Sequence, residues 1–140
     1  AGVRVAAGTD GMHSNMLKSY MASYLCARHL HGSPEVGFEE TRAMYEATQS
    51  LPARWFPSIH GVLEPGARAD IAVLDYRPHT PMTTENAWAH LLYGASPGGV
   101  YATLAGGELL FHAGKVLRED EDGVARACRA AADAVRRNLA

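Results

Sequence analysis

The sequence predicts an α/β fold, and three observations carry that reading. A short apolar run, Val3 to Ala7, leads through a glycine-flanked turn into a stretch with helical periodicity. Apolar residues return at spacings of three and four along several later segments, the pattern of amphipathic helices. Between Gly98 and Leu117, glycine-containing turns separate short β-rich runs, which are hairpin signals.

Each element follows from its local residues. Val3-Arg4-Val5-Ala6-Ala7 reads as a strand inside a parallel sheet, where strands are apolar on both faces. Gly8 and Gly11 bracket Thr9 and Asp10, and glycine permits a sharp turn or a close backbone approach. Ser14 is placed to cap the helix that follows. From Ser14 to about His31, Leu17, Tyr20, Met21, Tyr24 and Leu25 form one apolar face. Gly32-Ser33-Pro34 breaks that helix. Phe38 to Phe56 reads as a second helical region, with Pro52 interrupting it and Pro57 closing it. Pro65-Gly66 is a turn, and Ile71 to Leu74 a strand. Thr84 is placed to cap a short helix from Glu85 to about Tyr93. A meander follows: Val100 to Leu104, a turn at Gly106-Gly107, Glu108 to His112, a turn at Ala113-Gly114, then Lys115 to Leu117. The last helix carries Val124, Ala127, Cys128, Ala131, Ala132, Val135 and Leu139 as a stripe. Acidic residues at its start and Arg136 and Arg137 near its end suit the helix dipole.

Composition narrows the function classes. The 140 residues are the length of one ordinary domain, 47% hydrophobic and 20% charged. A net charge of -2 argues against a polyanion partner, so no nucleic acid is expected. No apolar run approaches the ~20 residues needed to span a bilayer, so no membrane is expected either. Two cysteines far apart, Cys26 and Cys128, do not make a disulfide framework and point to a reducing, cytoplasmic setting. Both fall on apolar helix faces, where buried and inert thiols are expected.

Gly8-Thr9-Asp10-Gly11 resembles the last-strand motif of the amidohydrolase superfamily, in its aminohydrolase and chlorohydrolase branch. Gly61 to Asp75 reads G-x-L-x-x-G-x-x-A-D-I-x-V-L-D, which resembles the segment where these enzymes leave a (β/α)8 barrel for a small β-sandwich. Val100 to Val116 reads V-x-x-T-L-x-G-G-x-L-L-x-x-x-G-K-V, similar to the closing strands of that sandwich. The SsnA-type aminohydrolases of the branch share features resembling Pro34-x-Val36-Gly37, Phe56-Pro57 with Gly61-Val62-Leu63, and Asn86-x-x-x-His90-x-Leu92-x-Gly94. The resemblance implies three parts: 1–60, the final strand and helices of a barrel; 61–118, a sandwich segment with a short helix at about 84–93; and 119–140, a C-terminal helix. A full barrel takes ~250 residues, so the chain is expected to be the C-terminal third of such an enzyme.

The resemblance also implies chemistry. In this superfamily a divalent metal, zinc or iron, sits at the carboxyl end of the barrel strands, held by a His-x-His pair, further histidines and the last-strand aspartate. The metal lowers the pKa of bound water, and the hydroxide attacks a heterocyclic or amidine carbon. Carried over, Asp10 is the metal-site and catalytic acid, and His13, three residues on, lies at the substrate mouth. One carboxylate cannot hold the metal, since zinc takes at least three protein ligands. The other histidines do not supply them. His29-x-His31 falls at a helix end, where i and i+2 do not share a face. His60, His79 and His112 fall in turns or at strand ends, and His90 has no assigned role. Asp70 and Asp75 read as sandwich residues away from the metal.

Two functions follow as expectations. In the first, the chain is part of a hydrolase of non-peptide carbon–nitrogen bonds, acting on a small-molecule substrate once an upstream barrel segment or a second chain completes the site. In the second, it is a non-catalytic binding or assembly module, and the unpaired Val3–Ala7 strand favours a homo-oligomer.

Overall fold

The structure is a computed structural model that describes residues 3–11, 13–56 and 61–139. Met12 and residues 57–60 lie outside them, so the readings at Pro57 and His60 do too. Helix α1 (Met16–His31) begins at Asn15, whose Oδ1 accepts the Lys18 amide at 3.2 Å. Asn15 therefore takes the cap expected of Ser14, because its oxygen sits three residues before a free amide of the first turn. The helix ends at Gly32 in the left-handed region, and Arg28, His29 and His31 occupy its last turn.

Helix α2 (Phe38–Ser50) starts at Gly37, which has φ 104°. Glu40 reaches back to accept the Gly37 amide at 2.8 Å. Gly37 also lies against α1, where an added Cβ would stand 3.0 Å from the Tyr24 carbonyl oxygen and 3.3 Å from Ala27 Cβ. The chain then tightens into a 3-10 turn, Leu51–Arg54, with Pro52 near its start. This matches the interruption expected at Pro52.

Helix α3 (Ala87–Ala89) runs directly into a π-helical turn, His90–Ala95. Its cap position is Asn86 and its first residue Ala87, two residues after the expected start at Glu85. The Thr84 hydroxyl donates to Glu85 instead of capping the helix, while Asn86 Oδ1 accepts the Thr83 amide and Asn86 Nδ2 donates to the Pro81 carbonyl. Asn86 thereby ties off the preceding loop.

The core forms where α3 enters the angle between α1 and α2. Tyr20, Tyr24, Trp88 and Leu92 are its buried centre, and Met16, Leu17, Phe38, Met44 and Tyr45 pack around it. The Trp88 ring stands 5.9 Å from Tyr20 and 5.2 Å from Tyr45, and its indole N–H donates to the Phe38 carbonyl at 3.2 Å. That bond satisfies the one polar atom Trp brings inside.

Among the described residues the sheet has four antiparallel strands in the order β1 (Ile71–Leu74), β2 (Val100–Ala105), β3 (Glu108–His112) and β4 (Lys115–Val116). Two-residue loops close the last two hairpins. Gly106 and Gly107 have φ 58° and 84°, and Ala113 and Gly114 have 47° and 84°, the paired positive angles that match strand twist. Asp70 braces the first of these turns, accepting the Gly106 amide at 2.6 Å and pairing with Arg68. The structural reading of Asp70 is thus the one the geometry supports.

Three further sequence expectations differ from the structure. Val3–Ala7 is not a strand: it is exposed for the most part and carries no ladder. Its ties run instead to side chains of α2, with the Ala7 amide donating to Thr48 Oγ1 and Arg4 donating to Ser50 Oγ. A strand needs a neighbouring backbone to take its N–H and C=O groups, and none of the described residues offers one there. The sheet that does form is antiparallel, so the expected parallel strand has no counterpart in it. Cys26 and Cys128 are exposed, not core. For Cys128 the reason is that helix α4 (Glu121–Leu139) buries none of its residues, and its stripe, with Val124, Val135 and Leu139, faces outward. No described helix is long and apolar enough to cross a membrane.

Two predictions follow from this framework. Gly37→Ala is expected to cost about 2 kcal/mol of stability in urea unfolding, because it combines a strained positive φ with a contact against backbone. The Asp70 carboxyl is held below the usual carboxylate range by the Gly106 amide first and Arg68 next. A lowered acid stabilises the fold above its unfolded value of ~3.9 and loses that effect as pH falls through the lower folded value. Acid titration followed at the Gly106 amide is expected to show the turn loosening below that range, and Asp70→Asn to abolish the acid dependence.

Candidate functional site

Both sequence-predicted site residues lie between residue 7 and the start of α1, Asp10 in a turn with Gly11. Asp10 has φ 50°, a left-handed conformation that aspartate tolerates better than most residues. Its Oδ1 accepts the Gly11 amide at 2.8 Å, and the side chain is exposed. Gly8 and Gly11 do not have positive φ, and a Cβ on either would meet nothing within 4 Å. The unusual backbone angle expected of the glycines is therefore taken by Asp10 itself. His13 is also exposed, and its Nδ1 accepts the Asn15 amide at 3.2 Å, which docks the imidazole against the start of α1.

Neither residue lines a cavity described in the structure. An apolar groove of about 550 Å³ opens between Val3–Val5 and the Glu40–Ala47 face of α2. It lies beside the segment that precedes Asp10 and does not include the acid.

The remaining histidines stand apart. His29 and His31 are exposed on the last turn of α1. His79 is exposed in a loop, and His112 lies edge-on to Tyr101 with ring centres 5.0 Å apart. No group of three His, Cys, Asp or Glu able to hold a metal ion occurs among the described residues. The divalent metal implied by the resemblance therefore does not fit the described residues alone, since Asp10 would be one donor where at least three are needed.

The structure adds a polar cluster that sequence reasoning left without a role. His90, the first residue of the π-helical turn, has Nδ1 2.7 Å from the Tyr76 hydroxyl and Nε2 3.3 Å from Thr80 Oγ1. One neutral tautomer satisfies both contacts, with Nδ1 accepting from Tyr76 and Nε2–H donating to Thr80. Gly94 makes room for this arrangement, since a Cβ there would fall 2.3 Å from the Tyr76 oxygen. Asn86, His90 and Gly94 were grouped in the sequence by resemblance. The structure gives the physical reason: together with Tyr76 and Thr80 they lock the loop after β1 onto α3. The signal available beforehand was only their regular spacing of four.

A second polar group sits where α1 meets α3. Partial burial and the neighbouring Tyr24 push the Tyr93 hydroxyl up to about 12, while Tyr24, its ring edge-on to Tyr93 with centres 5.4 Å apart, is lowered by Tyr93 and by Arg28. Arg28 bonds the Tyr24 hydroxyl and lies over its ring. The Tyr24–Tyr93 contact joins α1 to the π-helical turn.

Curated proteins similar to this chain are named 5-methylthioadenosine/S-adenosylhomocysteine deaminases. One from Caldicellulosiruptor saccharolyticus is 29% identical over 131 residues, covering 89% of this chain and 30% of the relative. Another, from Halobacterium salinarum, is 34% identical over 128 residues, covering 89% and 29%. A third, from Lawsonia intracellularis, is 32% identical over 125 residues, covering 86% and 28%. The chain thus spans less than a third of the length of these relatives. No family model matches it, and no solved structure matches it significantly. The similarity supports the amidohydrolase superfamily and does not single out its SsnA-type group.

Replacing Tyr76 by Phe tests the His90 lock. It leaves Nδ1 of a half-buried imidazole without its donor and is expected to cost about 1 kcal/mol in thermal or urea unfolding. Faster amide exchange is expected across residues 76–94 and not across α1.

Proposed function

We propose that this chain supplies the barrel-closing segment, the sandwich segment and the terminal helix of a metal-dependent amidohydrolase that hydrolyses non-peptide carbon–nitrogen bonds of a small molecule, of the aminohydrolase or deaminase type. The single observation that carries the proposal is similarity to named deaminases along 89% of the chain, with the superfamily-like motifs in consecutive order. The finer affinity with SsnA-type aminohydrolases rests on the sequence motifs alone. The division at residues 60 and 118 into barrel, sandwich and helix belongs to the same proposal, as does a cytoplasmic location.

Asp10 is the proposed catalytic residue and metal-site acid. An ionised carboxylate accepts hydrogen bonds and can take a proton in transit from a water molecule. Its exposure fits a residue that awaits other groups: residues outside this chain, from an upstream segment or a second polypeptide, must supply the histidines of the metal site. When bound, zinc or iron would supply an activated water there. The exposed Val3–Ala7 segment is the proposed place of pairing with that partner. His13, docked at the start of α1, is the proposed substrate contact.

One observation favours a second reading. Asp10 turns to solvent beside no described cavity, as expected of a turn residue in a non-catalytic binding or assembly module that self-associates.

The two readings separate in one experiment. The gene product, expressed with any coding sequence that precedes Ala1 in frame, is assayed for ammonia release from a panel of heterocyclic and amidine substrates. Asp10→Asn is expected to lower kcat by roughly 10²–10⁴-fold, the range for losing a proton-transferring group, with the fold intact by circular dichroism. His13→Ala is expected to raise KM more than it lowers kcat. Full activity in Asp10→Asn would overturn the proposal, and no turnover of any substrate by the wild-type product would favour the binding module.

A further inference from the structure

We draw no further inference here: the strongest candidate, the outward apolar face of α4 carrying Val124, Val135 and Leu139, carries nothing because nothing in the structure shows what covers it, its first-turn acid Glu121 being already engaged by the Val116 amide.

Discussion

The packing of Trp88 and Leu92 between α1 and α2 is the constraint on which the rest of the structure depends. Each of those helices has a single apolar stripe, and a stripe is stable only against another surface. Tyr20 and Tyr24 face inward from α1, Phe38 and Met44 from α2, and the third side of the angle is filled by a segment about fifty residues further on. Trp88 is 6% exposed and Leu92 fully buried. An aromatic side chain of this kind buries on the order of 150–250 Å², and Tyr20 and Tyr24 are buried beside Trp88. The junction also joins two regions that the sequence motifs treat separately, because α3 lies between strands β1 and β2 in the chain. Through Tyr76 and Thr80, the His90 lock extends that junction to the end of β1, so the sheet is fastened to the helical unit at one polar cluster.

Much of this fold was legible in the sequence wherever a local rule decided the outcome. The spacing of Leu17, Tyr20, Met21 and Tyr24 marks α1 because those residues fall on one helical face. The Gly106-Gly107 pair marks a hairpin because few other residues accept two successive positive φ values. What failed locally was the choice between adjacent polar caps. Ser14 and Asn15 are both good caps, and one residue of register decides which oxygen reaches a free amide; at α3 neither Thr84 nor Asn86 caps with its side chain, the first bonding Glu85 and the second the preceding loop. What could not be legible is any property set by a neighbour. Val3 to Ala7 has the composition of a buried strand, yet composition cannot say whether another strand lies beside it. Cys128 sits on the apolar stripe of α4, yet a stripe is buried only when something packs on it, and Cys26 lies off the Tyr20–Tyr24 face by which α1 enters the core. His90 looked unremarkable because its partners, Tyr76 and Thr80, are fourteen and ten residues away.

The candidate site divides in the same manner. Asp10 stood out by resemblance, and the structure explains its local chemistry differently from the glycines that flank it. The acid itself adopts the left-handed angle and binds the next amide with its own side chain. That geometry presents the carboxylate outward on a tight turn, a placement compatible with a metal-site donor and equally with a turn residue. The difference between those roles lies in groups this chain does not bring to Asp10. Its described histidines are spread over the end of α1, two loops, a strand end and the α3 lock, and no cluster forms. A mononuclear centre needs several donors converging on one point, and the described residues bring no group of three donors together.

The proposed function therefore rests on an acid whose metal partners would come from outside the described residues. The most direct test is metal analysis of the purified 140-residue chain after equilibration with zinc and removal of excess ion by gel filtration. The account predicts far less than one zinc per chain, with the trace retained unaffected by Asp10→Asn. One zinc per chain, lost on Asp10→Asn, would contradict it, because these residues would then hold a complete centre by themselves.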